Sequence, residues 1–480
     1  MPETLYEIIH QQLTADPSHI CIIWPQKNAA APANIDAVTF LQMIDAYAYA
    51  LRKCKPHESV LVASAPSPDI IAAIIAIMRV GAIAVLPPAN AASKTILQII
   101  RRRKIKQVIV KQPPGIGFRL LAKILGIQFI VAADNNSVSN KPSAIVTQHS
   151  PAYGKGGLVS HSSGSTGLPK TINRTYNILT AQHYALKQVF PPWKGQIDFP
   201  LFPNVILHNL ACGVTSVIPA VDGFKIKNMH ASTVLQQIKA QKVQTLTGNV
   251  FYYKQLLQEL QLHPQELEEV KALGVGGSPV PENLLPALKK YFTKADLYII
   301  YGSSEAEPIA VRKVGNGFFN AADGYFVGNV YAQLNIQIIA AGEIALSNGK
   351  MQQVGEIAVR GAHVAVDSPP DWLHTGDFGY LTTDNQLYLT GRKGNHKIQY
   401  RVQHYQLEHC LAQIPLIENV AARADEDGFT LFIQGKADEH SIKQILYSQF
   451  TQIRINAINF REQLPTDARH HSKIRYDLLN

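Results

Sequence analysis

Through its first half, this chain alternates short β-branched runs with helical patterns, and few folds accept that rhythm. Residues 59–64 are predicted as strand and 67–80 as helix, with Asp69 near the helix start where its charge suits the N-terminal dipole. A strand over 83–86 ends at Pro87-Pro88, and helix 94–103, strand 107–110, helix 118–125 and strand 128–131 follow. The same order returns as helix 232–240, strand 245–247, helix 250–260, strand 272–275, helix 282–292 and strand 297–301. Strands separated by helices are βαβ units, so the expected frame is parallel sheet covered by helices.

From about Gly324 the pattern shifts to short strands, 335–339, 355–360 and 386–389, with Gly/Asn turns such as Ser347-Asn348-Gly349. This reads as a β-rich subdomain. After Gly391-Arg392 comes mixed α/β patterning, with strand 429–433 and helix 441–450, and Gly394 offers flexibility at a boundary near 392–395. The expected class is therefore α/β, with a large domain over 1–391 and a small mobile α+β domain over 392–480.

Composition narrows the class. The chain has 480 residues, of which 46% are hydrophobic and 17% charged, enough apolar material for more than one core and too much for disorder. The net charge of +10 reads as diffuse except for the run Arg101-Arg102-Arg103-Lys104-Ile105-Lys106. That run is read as a solvated helix end before the strand 107–110, with a phosphate, membrane-surface or carrier-protein contact as the alternative. No aromatic-basic interleaving or nucleic-acid reading module is visible, so no nucleic-acid partner is expected. Cys21, Cys54, Cys212 and Cys410 lie far apart without metal-ligand spacing, which suggests reduced, buried thiols and a cytoplasmic location. The start, residues 1–12, does not read as a signal peptide. The apolar stretch 70–86 is interrupted by Arg79 and Gly81 and is too short to span a membrane, so it reads as a buried helix followed by a strand.

The string Ser162-Ser163-Gly164-Ser165-Thr166-Gly167-Leu168-Pro169-Lys170 follows a strand over 157–160. Its first six residues hold two glycines and four hydroxyls, which build no core. Backbone N–H groups and hydroxyls of such a loop can wrap a polyphosphate, with Lys170 adding positive charge. It lacks the Gly-x4-Gly-Lys-Ser/Thr order of a Walker A loop. On composition alone, a linker is the competing reading.

The complete string resembles the phosphate loop of the adenylate-forming superfamily, which includes acyl-CoA synthetases, peptide-synthetase adenylation domains and luciferases. Further landmarks follow in that family's order. Gly276-Gly277-Ser278-Pro279 resembles the turn lining the adenine pocket. Tyr301-Gly302-Ser303-Ser304-Glu305 resembles a motif whose aromatic ring stacks on adenine, whose hydroxyl (here Ser304) meets the phosphate and whose Glu holds Mg²⁺. Gly355–Gly361 is similar to the family's Gly-Glu-Leu-x-x-Arg-Gly strand. Thr375-Gly376-Asp377 is similar to a turn whose Asp takes the ribose hydroxyls, and Gly391-Arg392 to the start of the inter-domain hinge, whose Arg also reaches the ribose. Lys473 stands where the family keeps a mobile lysine that contacts substrate carboxylate and α-phosphate.

The resemblance implies ATP and Mg²⁺ as cofactors and a small-molecule carboxylic acid as substrate, converted to an acyl-adenylate with loss of pyrophosphate. Two anions must meet, so cations are required: Mg²⁺ on Glu305, together with Lys473 and Lys170. The 1–391 domain would be the adenylation domain and 392–480 its lid. Acyl-pocket candidates are Phe202, His208 and Phe251, with a hydrogen-bonded core histidine as the plainer reading of His208. No histidine pair suggests a metal-ligand set, so no zinc is expected.

Strings such as Gly213–Pro219, Tyr301–Pro308 and 464–473 are similar to β-lactone synthetases of olefin and natural-product pathways, in which a 3-hydroxyacyl-adenylate closes on itself. Thioester-forming members carry a Lys-x-x-Gly segment after the hinge, whereas this chain has Lys397-Ile398-Gln399-Tyr400-Arg401. That departure weakens coenzyme A as acceptor. A coenzyme A or acyl-carrier-protein ligase remains the alternative, and a non-catalytic nucleotide-binding relative the alternative of another class.

Overall fold

The computed structural model describes residues 3–25, 31–88, 91–131, 157–162, 170–221, 226–315, 317, 319–366, 371–467 and 471–479. Two compact units divide the chain. One comprises Met1–Val243, Ser304–Ala306 and Ala362–Asp367, the other Gln244–Ser303, Glu307–Gly361 and Ser368–Asn480.

The first unit contains the predicted βαβ frame. Its six-stranded sheet runs in the order Gln128–Val131, Gln107–Val110, Ser59–Val62, Ile83–Val85, Gly157–Ser162, Lys170–Arg174, parallel except at the last pair. The helix Pro68–Arg79 starts where Ile70 N–H donates to Ser67 Oγ (3.3 Å), with proline in its first turn. It buries ten of its twelve residues against the helix Ala37–Ala50, Tyr176 and one face of the sheet. Burial on every side explains why 70–86 is so uniformly apolar. No helix among the described residues is long and apolar enough to cross a membrane. Elsewhere in this unit Ile197–Pro200, Thr215–Val217 and Ile20–Trp24 pair in parallel, with Ala33–Asp36 antiparallel beside Ile20–Trp24. Cys21 and Cys54 are buried as expected, whereas Cys212 is only half-buried.

In the second unit, Thr245–Asn249, Ala272–Gly276 and Asp296–Tyr301 are parallel neighbours. Six strands then add antiparallel in the order Ala310–Lys313, Tyr325–Val330, Gln386–Arg392, Leu373–Leu381, Met351–Arg360, Asn335–Ala345. This is the β-rich region expected after Gly324. Thr375-Gly376-Asp377, read above as a turn, lies inside the strand Leu373–Leu381. Gly376 sits at φ +74°, a value glycine adopts without strain. Further on, Ile417–Ala424, Phe429–Gly435 and Ile455–Phe460 form a three-stranded sheet with the helices His404–Ala412 and Glu439–Gln449 around Leu407, Phe429, Leu431, Ile442 and Leu446.

The helix His404–Ala412 is buried from His404 through Leu411 although half of those residues are polar. Each polar group therefore needs a partner. Gln406, Glu408 and His409 find one, whereas the two ring nitrogens of His404 have none among the described residues. Gln406 Nε2 donates to Ala322 O (2.6 Å) and Ala345 O (3.1 Å). His409 Nδ1 lies 2.9 Å from Gly324 O, and its Nε2 accepts from Glu282 N–H at 3.2 Å, which fixes one neutral tautomer. Glu408 Oε1 accepts from Ala422 N–H (2.9 Å), and the Tyr476 hydroxyl lies 2.8 and 2.9 Å from the two carboxyl oxygens.

Burial pushes the Glu408 carboxyl up to about 8 and pulls His404 down to about 3 and His409 to about 4. Glu408 holds its proton more tightly folded than unfolded. Its contribution is full below about 4.3 and is lost as pH rises toward 8, at about 1.4 kcal/mol per pH unit. The two histidines bind protons less tightly when folded, so theirs is full above about 6.5 and is lost as pH falls. Two opposing slopes outweigh one below that point, so stability of this unit peaks near pH ~6.5. Urea unfolding across a pH series is expected to show that maximum. Glu408→Gln is expected to flatten the decline between pH ~6.5 and 8, and an unchanged slope in the variant would refute this account.

Candidate functional site

In the second unit the three parallel strands end together, and ligands of open α/β sheets bind beyond such carboxyl ends. The backbone there is close: a Cβ on Gly276 would lie 2.5 Å from Ile300 O, so only glycine fits. The hydroxyls of Thr247 and Ser278 are buried with no hydrogen-bond partner among the described residues. Orphaned buried donors are costly, and a polar ligand would satisfy them. Gly277, Tyr301 and Gly302 are half-buried at the same strand ends.

The structure brings three of the sequence-named residues into one group. The Tyr301 hydroxyl donates to Asp377 Oδ2 (2.8 Å), and the Arg392 guanidinium donates to Asp377 Oδ1. Asp377 and Arg392 are cross-strand partners, so sheet register fixes that ion pair. The carboxylate raises Arg392 above its ordinary value, and burial raises the Tyr301 phenol well above its own. Neither proton leaves near neutral pH. Thr375 Oγ1 donates to Ile357 O (2.9 Å) and accepts from Asp377 N–H (3.1 Å), which holds the Asp377 backbone. His374 turns away, with Nδ1 3.1 Å from Glu356 Oε2.

In the first unit, Lys170 Nζ lies 3.4 Å from Glu305 Oε1. Glu305 is only 15% exposed while Lys170 is 55% exposed, so the lysine can swing toward a ligand and leave the carboxylate in place. Ala365 N–H donates to Glu305 O (2.7 Å), and Ala306 bridges to Val364, so the backbone at Glu305 is fixed on both sides. Ser304 is half-buried beside it. Ser162 pairs with Lys170 across an antiparallel ladder, holding the ends of the predicted phosphate loop together. Ser163, Gly164, Ser165, Thr166 and Gly167, and the side chain of Ser162, lie outside the described residues.

Lys473 belongs to a turn tied by Asp467, a residue the sequence reading passed over. Asp467 Oδ1 accepts from Lys473 N–H (3.0 Å) and Ser472 N–H (3.3 Å), and Asp467 N–H donates to Lys473 O (2.9 Å). Asp467 stands inside the family-like string 464–473, which was the available signal. In the same turn His471 packs on Phe251, ring centroids 5.9 Å apart, so the lysine-bearing turn meets a residue named for the acyl pocket. Tyr476 then anchors the tail to Glu408, a pairing 68 residues apart that the linear chain does not announce.

Phe202 precedes the helix Pro203–Cys212, with Pro203 at its first position. On that helix His208 Nδ1 lies 3.1 Å from His183 Nδ1, and Cys212 Sγ lies 3.6 Å from His208 Nε2. Burial lowers His183 to about 4 and His208 to about 3 and pushes Cys212 up to about 11, so all three are neutral at pH 7. Their donor atoms fall within 4.8 Å of one another, a grouping the sequence reading did not anticipate. His183 and Cys212 nevertheless approach opposite nitrogens of His208. The trio is thus a hydrogen-bonded chain, not a ring of donors around one point.

Residues 10–366 match the family described as AMP-binding enzyme. An olefin beta-lactone synthetase of Stenotrophomonas maltophilia is 25% identical over 362 residues, 66% of this chain and 65% of that protein. The match spans 48% of a second such protein, from Xanthomonas campestris, so the chain spans less than two thirds of the length of either. Among solved structures, ATP-bound MatB from Rhodopseudomonas palustris superposes with TM-score 0.80 at 15% identity, covering 99% of this chain and 98% of that one. O-succinylbenzoate coenzyme A synthetase from Bacillus subtilis, in complex with ATP and magnesium ion, gives 0.77 at 15% identity, covering 99% of both chains. With more than half its length matched, the chain belongs to the AMP-binding enzyme family.

Proposed function

We propose that this protein activates a carboxylic acid as its acyl-adenylate. The observation that carries the proposal is the Tyr301–Asp377–Arg392 group at the edge of the parallel strands. It joins an aromatic face for a purine to a carboxylate whose remaining lone pairs suit ribose hydroxyls. The unsatisfied Ser278 and Thr247 hydroxyls and the close backbone at Gly276 fit a nucleotide at the same strand ends. A carboxylate oxygen of the acid attacks the α-phosphorus of ATP, the bond to the bridging oxygen breaks, and pyrophosphate leaves. Lys473 neutralises the approaching anions, and Lys170 draws on the departing phosphates. Glu305 fits Mg²⁺ as a single, fixed carboxylate, since this ion is held by one or two carboxylates plus substrate phosphates. When bound, Mg²⁺ would supply charge neutralisation on the polyphosphate. Residues 1–391 are assigned as the adenylation domain and 392–480 as its lid. The four free thiols favour the cytoplasm.

For the second step we favour closure of a 3-hydroxyacyl-adenylate to a β-lactone. The substrate hydroxyl oxygen attacks the acyl carbon, its proton passes to solvent and AMP departs. The likeness to olefin beta-lactone synthetases supports this, and so does the segment after the hinge. Lys397 Nζ donates to Asp425 O (2.9 Å) and Glu426 O (3.1 Å), Gln399 Nε2 donates to the same carbonyls, and the Tyr400 hydroxyl donates to Asp427 O (3.2 Å). A stretch pinned by three long side chains offers less room for a pantetheine arm than a glycine-bearing one. The second reading is a coenzyme A or carrier-protein ligase.

Radiolabelled pyrophosphate exchange into ATP is expected with an apolar acid and no thiol. Lys473→Ala is expected to lower it roughly 100- to 1000-fold. Absence of exchange with every acid in a panel of fatty, 3-hydroxy and aromatic acids, in protein that binds ATP, would support a non-catalytic nucleotide binder instead. Mass analysis without thiol is expected to find the dehydrated, cyclised acid. Thioester formed only on adding coenzyme A or a carrier protein would establish the second reading. Asp377→Ala is expected to raise the KM for ATP more than it lowers kcat, because it removes a ribose contact made before and during the reaction.

A further inference from the structure

The net charge is less diffuse than it first reads. Residues 70–133 contain ten Lys or Arg and no Asp or Glu, so this one stretch accounts for the entire +10 and the rest of the chain is balanced. In the fold one of the ten, Arg79, pairs with Asp45 at the end of the helix Pro68–Arg79, and the other nine lie between Lys94 and Lys123. The helices Ser93–Arg102 and Ile116–Ile124 cover one face of the six-stranded sheet through Ile100, Ile105, Ala122 and Ile127. Lys106 Nζ donates to Leu125 O (3.0 Å), which ties the basic run to the end of the second helix. Arg101, Arg102, Lys104, Lys111, Arg119 and Lys123 are all exposed, and no ion pair among the described residues involves them.

The helix Ile116–Ile124 already satisfies the sheet with its inner face, where Ala122 is buried and Phe118 packs on Phe129. Its outer face should then be polar. Instead Ile116, Leu120 and Ile124 are 77%, 61% and 81% exposed, an i, i+4, i+8 stripe along one side, flanked by Arg119 and Lys123. Single exposed apolar residues need no explanation, but three aligned on one helix among uncompensated cations do. An apolar stripe rimmed by Lys and Arg is the pattern of a helix lying in the plane of a membrane interface, with its side chains in the acyl boundary and its cations on anionic headgroups.

We propose that the helix Ile116–Ile124 and the basic layer beside it dock this protein on an anionic lipid surface. Charge complementarity selects this occupant. A second copy of the chain would set cation against cation, because the patch holds no carboxylate to pair with. Such docking would hold the enzyme where apolar acids partition, and it stands independently of which acid is activated.

The test is sedimentation of the full chain with large vesicles of phosphatidylcholine alone and of an equal mixture of phosphatidylcholine and phosphatidylglycerol. Binding is expected on the anionic vesicles and is weakened by salt. Arg119→Gln with Lys123→Gln is expected to cost roughly fivefold in partitioning per cation removed. Combined Ile116→Ser, Leu120→Ser and Ile124→Ser is expected to cost at least roughly tenfold, with a circular-dichroism melt unchanged because all three side chains point outward. Equal partitioning on both vesicle types, or binding that neither variant moves, would overturn the proposal. Sedimentation without vesicles that the serine variant abolishes would also overturn it, and would mark the stripe as a contact between copies.

Discussion

Burying a helix with half its side chains polar is costly unless the polar groups are met, and at His404–Ala412 Gln406, Glu408 and His409 are met by partners from other segments. The carbonyls of Ala322 and Gly324 come from one turn and that of Ala345 from the end of a strand, and each is pinned to this helix by Gln406 or His409. Glu282 N–H reaches the other nitrogen of His409, while the Glu282 carboxylate grips Arg312 through both guanidinium nitrogens, and Arg312 in turn lies over Phe319 and Phe326. Parallel strands, antiparallel strands and tail thus converge on a single element. Each of these partners lost would strand a buried dipole at about 1–3 kcal/mol.

The same economy governs Asp377. One carboxylate accepts from Tyr301 and from Arg392, two residues delivered by different strands, and its own backbone is fixed by Thr375. Such a group is preorganised: both donors already hold the carboxylate, and charge on Arg392 is assured by its partner. A left-handed glycine stands immediately before Asp377, and the ladder to the next strand shifts register just after it, between Phe378 and Gly379. Tight sheet register and local distortion together let a strand residue act with the freedom usually reserved for a loop.

How much of this was legible in the linear chain follows from what carries each signal. The strands Gln107–Val110 and Gln128–Val131 were read to the residue because β-branched runs bounded by breakers are local. The helix Pro68–Arg79, expected over 67–80, is legible because Asp69 marks its start and an apolar run follows. The helix His404–Ala412 is not legible in the same way, because its buried positions carry polar and apolar residues alike and so set no apolar period. Tyr301, Asp377 and Arg392 were legible through their motif strings, yet that they share one hydrogen-bonded group was not, since 76 residues separate Tyr301 from Asp377. His183 against His208, Asp467 under Lys473 and Tyr476 on Glu408 are pairings of ordinary residue types that only the fold brings together.

The stretch Lys397–Arg401 shows what sequence departure means physically. Tyr400 and Arg401 both sit at positive φ, 50° and 62°, in a conformation that costs a side-chain-bearing residue roughly 1–2 kcal/mol each. Glycine would relieve that strain, so its absence has to be offset locally. The offset is visible: Gln399 N–H and Val402 N–H donate to each other's carbonyls, and the side chains of Lys397, Gln399 and Tyr400 all bind carbonyls of 425–427. Two strained residues clamped by that many bonds make a stiff corner. The departure at 397–401 thus exchanges backbone freedom for side-chain bonds that hold the corner in place.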